Sequence, residues 1–186
     1  MALGPTLETE RLILRPPVAA DLDGWAQLMG DAEAARFIGG RMARSPAWRT
    51  MAAVTGSWAL HGFGMFSVVE KVGGRWIGRV GPWRPEGWPG AELAWGLHPG
   101  FHGKGYAVEA ASAAMDWIVD RLGWDEVIHS IDPDNIASKA VARRLGSRLL
   151  RMGHLPEPYH EKALELWGQS AGEWKARRVQ ASSGRA

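Results

Sequence analysis

Two groups of residues in this chain have the types and spacing to do chemistry. The first is His102-Gly103-Lys104-Gly105-Tyr106-Ala107, set directly after an apolar run and directly before an alanine-rich helical stretch. Glycines at 103 and 105 let the backbone curl until several N–H groups point at one spot, where the positive end of the helix dipole also points. Such a spot binds phosphate. The second group is Asn135-Ile136-Ala137-Ser138, opening a short helical pattern that closes at Leu145-Gly146. Asn135 stands where an N-cap is expected, and Ser138, one turn on, faces the same way. Upstream, Glu92 is the sole ionisable residue between Ala91 and Leu97, in a strand pattern that is apolar on both faces. Burial there raises a carboxylate pKa and suits it to accept a proton, directly or through water. A structural ion pair with Arg79, or with another arginine of the neighbouring strand, is the competing reading. His129 reads first as a satisfied core histidine and only second as a base. His98 and His102 flank the glycine loop and suit contacts to phosphate or main chain.

What the composition lacks narrows the chemistry further. There is no cysteine, so a disulfide framework, a thiolate metal site and a cysteinyl-acyl intermediate are all excluded. Lys104 is followed by Gly105, so the loop is not the G-x-x-x-x-G-K-[ST] nucleotide motif. His154, Glu157, His160 and Glu161 form a polar cluster, but Pro156 and Pro158 break any helical ligand spacing, and no metal is expected. The balance of 22 basic and 20 acidic residues, net +2, is too small to imply nucleic-acid binding but suits an anionic ligand. No run approaches the roughly 20 apolar residues that span a bilayer, and no leader is evident, so a cytoplasmic protein without membrane contact is expected. Tryptophan is over-used, with 11 against 4 Phe and 2 Tyr. Trp83 and Trp88 fall in the Pro/Gly-rich stretch 81–90, where they either wall a binding site or pack beneath the loop.

Strand, glycine loop, helix, strand, then N-x-x-S on another helix: in this order the chain resembles the GNAT superfamily of acetyl-CoA-dependent N-acetyltransferases. The nearest likeness is to the branch that includes the ribosomal-protein N-terminal acetyltransferases. It extends over residues 7–168, and Leu7-Glu8-Thr9-Glu10-Arg11-Leu12-Ile13-Leu14-Arg15-Pro16 looks like the first strand of that branch. The family loop reads Gln/Arg-x-x-Gly-x-Gly/Ala, and here His102 replaces the Gln or Arg. The resemblance implies an α/β fold, with a mixed, mostly antiparallel sheet of six to seven strands splayed between the fourth and fifth and flanked by helices. It implies acetyl-CoA as cosubstrate, its diphosphate on the loop His102 to Ala107 and its arm against main chain near Leu97 and His98. Asn135 then contacts the arm, and Ser138 lies near the sulfur as proton donor. A tyrosine used by many family members four residues further on is Ala142 here. The implied reaction is direct attack of a primary amine, of a protein N-terminus or a small molecule, within a ternary complex. A non-catalytic acyl-CoA-binding regulatory domain is the alternative, and monomer or homodimer stays open.

The elements that must position these groups are readable as patterns. Arg11 to Arg15 is a strand stopped by Pro16-Pro17, and Asp21 looks like the N-cap of a helix with an inward stripe of Leu22, Trp25, Ala26 and Met29. Ser45-Pro46 opens another helix, with Trp48, Met51, Ala52 and Trp58 directed to the core. Phe63 to Glu70 and Trp76 to Gly81 form a hairpin, and Ala91 to Leu97 is the fourth strand. Tyr106 to Leu122 is the main helix, with Glu109 and Asp116 on its solvated face, ended by Gly123. Glu126 to Ile131, Ser147 to Met152 and Lys162 to Trp167 complete the sheet. One domain over 1–168 is expected, with a polar tail over 169–186 holding a helical turn or two and then disorder. Segments 17–62 and 153–161 would wall the acceptor site.

Overall fold

The computed structural model describes residues 3–183. Eight strands make one sheet: β1 (Leu7–Glu8), β2 (Leu12–Arg15), β3 (Phe66–Glu70), β4 (Trp76–Trp83), β5 (Glu92–Leu97), β6 (Glu126–Ile131), β7 (Arg148–Gly153) and β8 (Leu164–Ser170). Their spatial order is β1-β2-β3-β4-β5-β6-β8-β7. Seven match the sequence patterns; the eighth, β1, is a two-residue rung pairing Leu7 with Leu14 and Glu8 with Ile13. Every neighbouring pair is antiparallel except β5 and β6, which are parallel and share a single register pair, Glu92 with Ile128. The mixed sheet with one forked junction is the expected architecture.

Six helices flank the sheet: α1 (Leu22–Gly30), α2 (Ala32–Ala35), α3 (Arg44–His61), α4 (Tyr106–Trp117), α5 (Ile136–Leu145) and α6 (Ala171–Ser183). Helix α4 lies across β4 and β5 on one face, where Ala110, Ala111 and Ala114 let it approach a floor of Val80, Leu93 and Leu97. On the other face α1 and α3 bury Trp25, Met29, Met51 and Val54 against Met65. After α4 a wider helical turn runs over Ile118–Leu122 and stops at Gly123, whose φ of +66° ends it.

Four sequence readings change. Asp21 stands at the N-cap position of α1, as read, but its side chain does not cap the helix. Its buried carboxylate takes both guanidinium nitrogens of Arg15 (2.8 and 2.7 Å), the Val18 N–H (2.9 Å) and the Ser67 hydroxyl (2.7 Å). Burial pushes this carboxyl up, but those donors outweigh it and hold it below the usual range. Trp48 is 53% exposed rather than in the core, although Met51 and Trp58 point inward as read. Helix α3 starts at Arg44, and Ser45 does not cap it. Glu109 and Asp116 are not simply solvated: Glu109 receives Thr9 and Arg11, and Asp116 accepts the Trp174 indole N–H at 2.8 Å.

The sheet runs two residues past 168, and α6 follows at once, with Trp174 buried against the main core. Of the terminus expected to be disordered, 181–183 continue α6 and 184–186 lie outside the described residues. Among the described residues, no helix is long and apolar enough to cross a membrane.

Candidate active site

The glycine loop has the geometry its composition implies. Gly103 and Gly105 sit at φ +74° and +80°, in the left-handed region that β-carbons disfavour. Gly105 is the N-cap of α4 and contributes no side-chain cap, so the first N–H groups of the helix stay open toward the loop. The N-terminal segment braces the loop from behind. Glu109, one turn into α4, accepts from the Thr9 hydroxyl (2.6 Å), the Arg11 N–H (2.9 Å) and the Arg11 Nε (2.6 Å). Arg11 Nη1 also reaches the Lys104 carbonyl at 3.0 Å. Tyr106 turns its ring away from the loop, donating its hydroxyl to Glu70 and lying under the Arg11 guanidinium. Lys104 is exposed, with its ammonium over the Phe101 ring.

Next to the loop is the fork between β5 and β6. The ladder begins normally, with Ile128 N–H donating to the Ala91 carbonyl at 2.9 Å. In a parallel pair the following rung would join Ser130 N–H to the Leu93 carbonyl. Both groups are taken by side chains instead. Ser130 N–H donates to Glu92 Oε1 (2.9 Å), and the Leu93 carbonyl accepts from His129 Nδ1 (2.8 Å). Beyond this point the strands diverge. His98 N–H donates back to Ile77 of β4 at 2.8 Å, so by strand alternation Trp95 and Leu97 direct their main-chain groups into the open cleft. The expected pairing of His98 main chain with a cofactor arm is therefore corrected: its N–H faces β4, and its ring accepts from Gly100 N–H. The Leu97 carbonyl is held by His102 Nε2 at 2.8 Å, which gives the residue replacing the family's Gln or Arg a contact at the cleft edge.

Two cavities open on the fork, one of about 400 Å³ toward the glycine loop and one of about 430 Å³ on the α1 and α3 side. They share Phe37, Ile38, Trp95, Asn135 and Ser138, so the two cavities meet at these residues. Asn135 caps α5, its Oδ1 accepting from Ser138 N–H at 3.0 Å, and the residue borders both cavities. Ser138 Oγ accepts from the Trp95 indole at 3.2 Å, which leaves the hydroxyl hydrogen free to point elsewhere. Ala142, where a tyrosine would be expected, is fully buried.

Glu92 lines the second cavity and is 4% exposed. Burial raises its pKa despite donors from Ser130 N–H, the Trp88 indole and the Ser130 hydroxyl. Among the described residues no ion pair joins it to an arginine. Trp83 and Trp88 both line this cavity, edge to face with centroids 6.4 Å apart. His129 is enclosed, and its tautomer is set by its partners. Nδ1 must carry the hydrogen given to Leu93, so Nε2 accepts from the Ser147 hydroxyl at 2.9 Å. Burial pulls its pKa down to about 4. That is the satisfied core histidine. His154 is turned to the His160 carbonyl, and no three His, Asp or Glu side chains among the described residues gather as a metal site.

Sequence reasoning missed Phe37 and Ile38, which follow a helix of four residues too short to show a pattern. It also missed Arg144, which borders the loop-side cavity from the last turn of α5, and the Arg11–Glu109 brace.

The family model described as an acetyltransferase (GNAT) domain matches residues 11–148. An acetyltransferase from Agrobacterium tumefaciens has 31% identity and a TM-score of 0.79, over 89% of this chain and 94% of that one. RimL, a ribosomal L7/L12 α-N-protein acetyltransferase solved in complex with coenzyme A, shares the fold at a TM-score of 0.72 and 17% identity, over 89% and 98% of the two chains. The uncharacterized N-acetyltransferase YnaD of Bacillus subtilis is 33% identical over 57 residues, 31% of this chain; the match spans only 34% of that relative's length. With most of its length inside the family match and its sheet forked at the one parallel pair, this chain belongs to the GNAT family of acetyltransferases.

Proposed function

We propose that the protein moves an acetyl group from acetyl-CoA to a primary amine, of a small molecule or a protein N-terminus, by direct attack in a ternary complex. The observation that carries this reading is the meeting of two cavities at Trp95, Asn135 and Ser138, beside the free edge of β5. The groups present fit acetyl-CoA. Open N–H groups at the start of α4, with the left-handed Gly103 and Gly105, suit its diphosphate, and Arg144 adds a cation at the same cavity. The free edge of β5 suits the amides of its arm, and Asn135 borders that path.

When bound, the thioester supplies an electrophilic carbonyl. Glu92 takes the ammonium proton through water, because it lies three residues along β5 from Trp95, about 10 Å at the usual strand rise. The freed amine nitrogen forms its bond to the carbonyl carbon. A main-chain N–H of Trp95 or Leu97 in the cleft stabilises the oxyanion. As the carbon–sulfur bond breaks, Ser138 gives its hydroxyl hydrogen to the thiolate and takes the remaining extra proton from the attacking nitrogen, so the amide and a neutral hydroxyl result, with the Trp95 indole N–H steadying the Ser138 oxygen throughout. With no cysteine in the chain, no cysteinyl-acyl step competes. The test is release of free thiol from acetyl-CoA across amine and peptide panels. Amine-dependent release is expected; tight acetyl-CoA binding with no release for any acceptor would favour the regulatory reading instead.

A further inference from the structure

The acceptor-side cavity holds a cation, Arg79, that Glu92 in the same cavity acts on through space without pairing to it. Arg79 lines it from β4, and among the described residues no carboxylate forms an ion pair with it. Its Nε is enclosed with no hydrogen-bond partner, Nη1 has only the Met65 sulfur at 3.6 Å, and the guanidinium sits 5.1 Å over the Trp25 ring. Burial draws its pKa down to about 10, which leaves it charged at neutral pH. Arg79 is half-buried, and an enclosed guanidinium donor left unused is best satisfied by an anion.

Its position says where that anion belongs. Arg79 is opposite Gly96 in the β4–β5 register, and Trp83 is opposite Glu92, so Arg79 and Glu92 share one face of the sheet. A Cβ added at Gly96 would lie 3.9 Å from Arg79 Nε, so the Arg79 side chain runs over Gly96, and it lines the same cavity as Ser138. The remaining walls include Met29, Met42, Met65 and Ile38, Trp83 at the end of β4 and Trp88 in the following loop, and the acidic Glu86, Glu157 and Asp132, the last of them paired with Lys162. Resting on the acetyl-transfer reading, we infer that the acceptor is a small, apolar amino acid whose carboxylate is held by Arg79 while its amine meets the thioester beside Ser138.

The test uses matched acceptors: L-phenylalanine and L-methionine, their amides, their decarboxylated amines, the longer-spaced 4-aminobutyrate, and short peptides. Thiol release from acetyl-CoA is expected to give the free amino acids a kcat/KM at least about 30-fold above the carboxylate-free amines, the scale of a charge-assisted pair. Arg79→Gln should collapse that ratio toward one, chiefly through KM, and Arg79→Lys should keep part of it. Equal turnover of amides, amines or peptides by the unaltered protein overturns the inference, as does a ratio that survives Arg79→Gln. If Arg79→Gln does not fold, the acceptor panel on the unaltered protein decides alone. Should no acceptor release thiol, acetyl transfer fails as a reading. Calorimetry of L-phenylalanine against 2-phenylethylamine on the protein–CoA complex then still judges Arg79, since only the carboxylate-bearing ligand should bind.

Discussion

Glu92 is where chemistry and architecture meet in one side chain. As a base it must lose activity when made unable to take a proton, so Glu92→Gln should lower the maximal rate about 100-fold at pH 7 with acetyl-CoA affinity held. The defect should shrink as pH approaches the pKa of the acceptor amine, because the amine then arrives deprotonated. A rate defect independent of pH would assign Glu92 to support alone. His129 makes the opposite prediction, one of stability. Its native pKa of about 4 lies below the unfolded 6.5, so the native state resists protonation. Stability from this group is complete above pH 6.5 and is lost as pH falls toward 4, by about 3 kcal/mol. Urea unfolding across that window should show the slope, and His129→Gln should flatten it.

At the scale of elements, the loop and α4 act together, and this part was the most legible in the sequence. Gly103 and Gly105 declare their positive φ by being glycine, and Asn135 declares the start of α5 by being a good cap. Gly105→Val should cost at least about 2 kcal/mol of acetyl-CoA binding, roughly 30-fold, by forcing a β-branched residue into the left-handed region. Unchanged affinity in a folded variant, by calorimetry, would remove the loop from the cofactor site. Other assignments failed where a local rule met a distant partner. Asp21 has the residue type of an N-cap, but Arg15 and Ser67 reach it from β2 and β3 and claim its oxygens. Glu109 falls on an outward position of α4 by periodicity, yet the N-terminal segment folds over it. Trp48 was assigned inward because it is large; the inward face of α3 is set by Ala47, Met51, Val54 and Trp58.

At the scale of the whole molecule, the mixed sheet and the place of its fork followed from the family resemblance, while the strand order and the reason for the fork did not. It depends on a register that brings Glu92 and His129 level with one missing rung, and no spacing along the chain reveals that. Arg79 was read only as a candidate ion-pair partner of Glu92, because the strand pattern cannot show that its Nε is enclosed without a hydrogen bond. The tail was underestimated because one tryptophan, Trp174, docks a helix that is otherwise polar. The two side chains at the fork carry a last consequence. A sheet left to itself would zip, and here a desolvated carboxylate and a buried imidazole hold the zipper open. Replacing both by apolar residues, as in Glu92→Leu with His129→Val, removes two costly burials and frees Ser130 N–H to find the Leu93 carbonyl. The expected protein is more heat-stable than the parent by about 1–2 kcal/mol and inert, the gap proposed for the cofactor arm sealed by the sheet's own hydrogen bonds. Thermal unfolding and acetyl-CoA calorimetry on that one variant would reveal it, and a destabilised variant that still binds would refute it. Selection for stability alone would thus tend to close this molecule, and the slot persists because acidic and basic side chains obstruct the sheet's best-paired state.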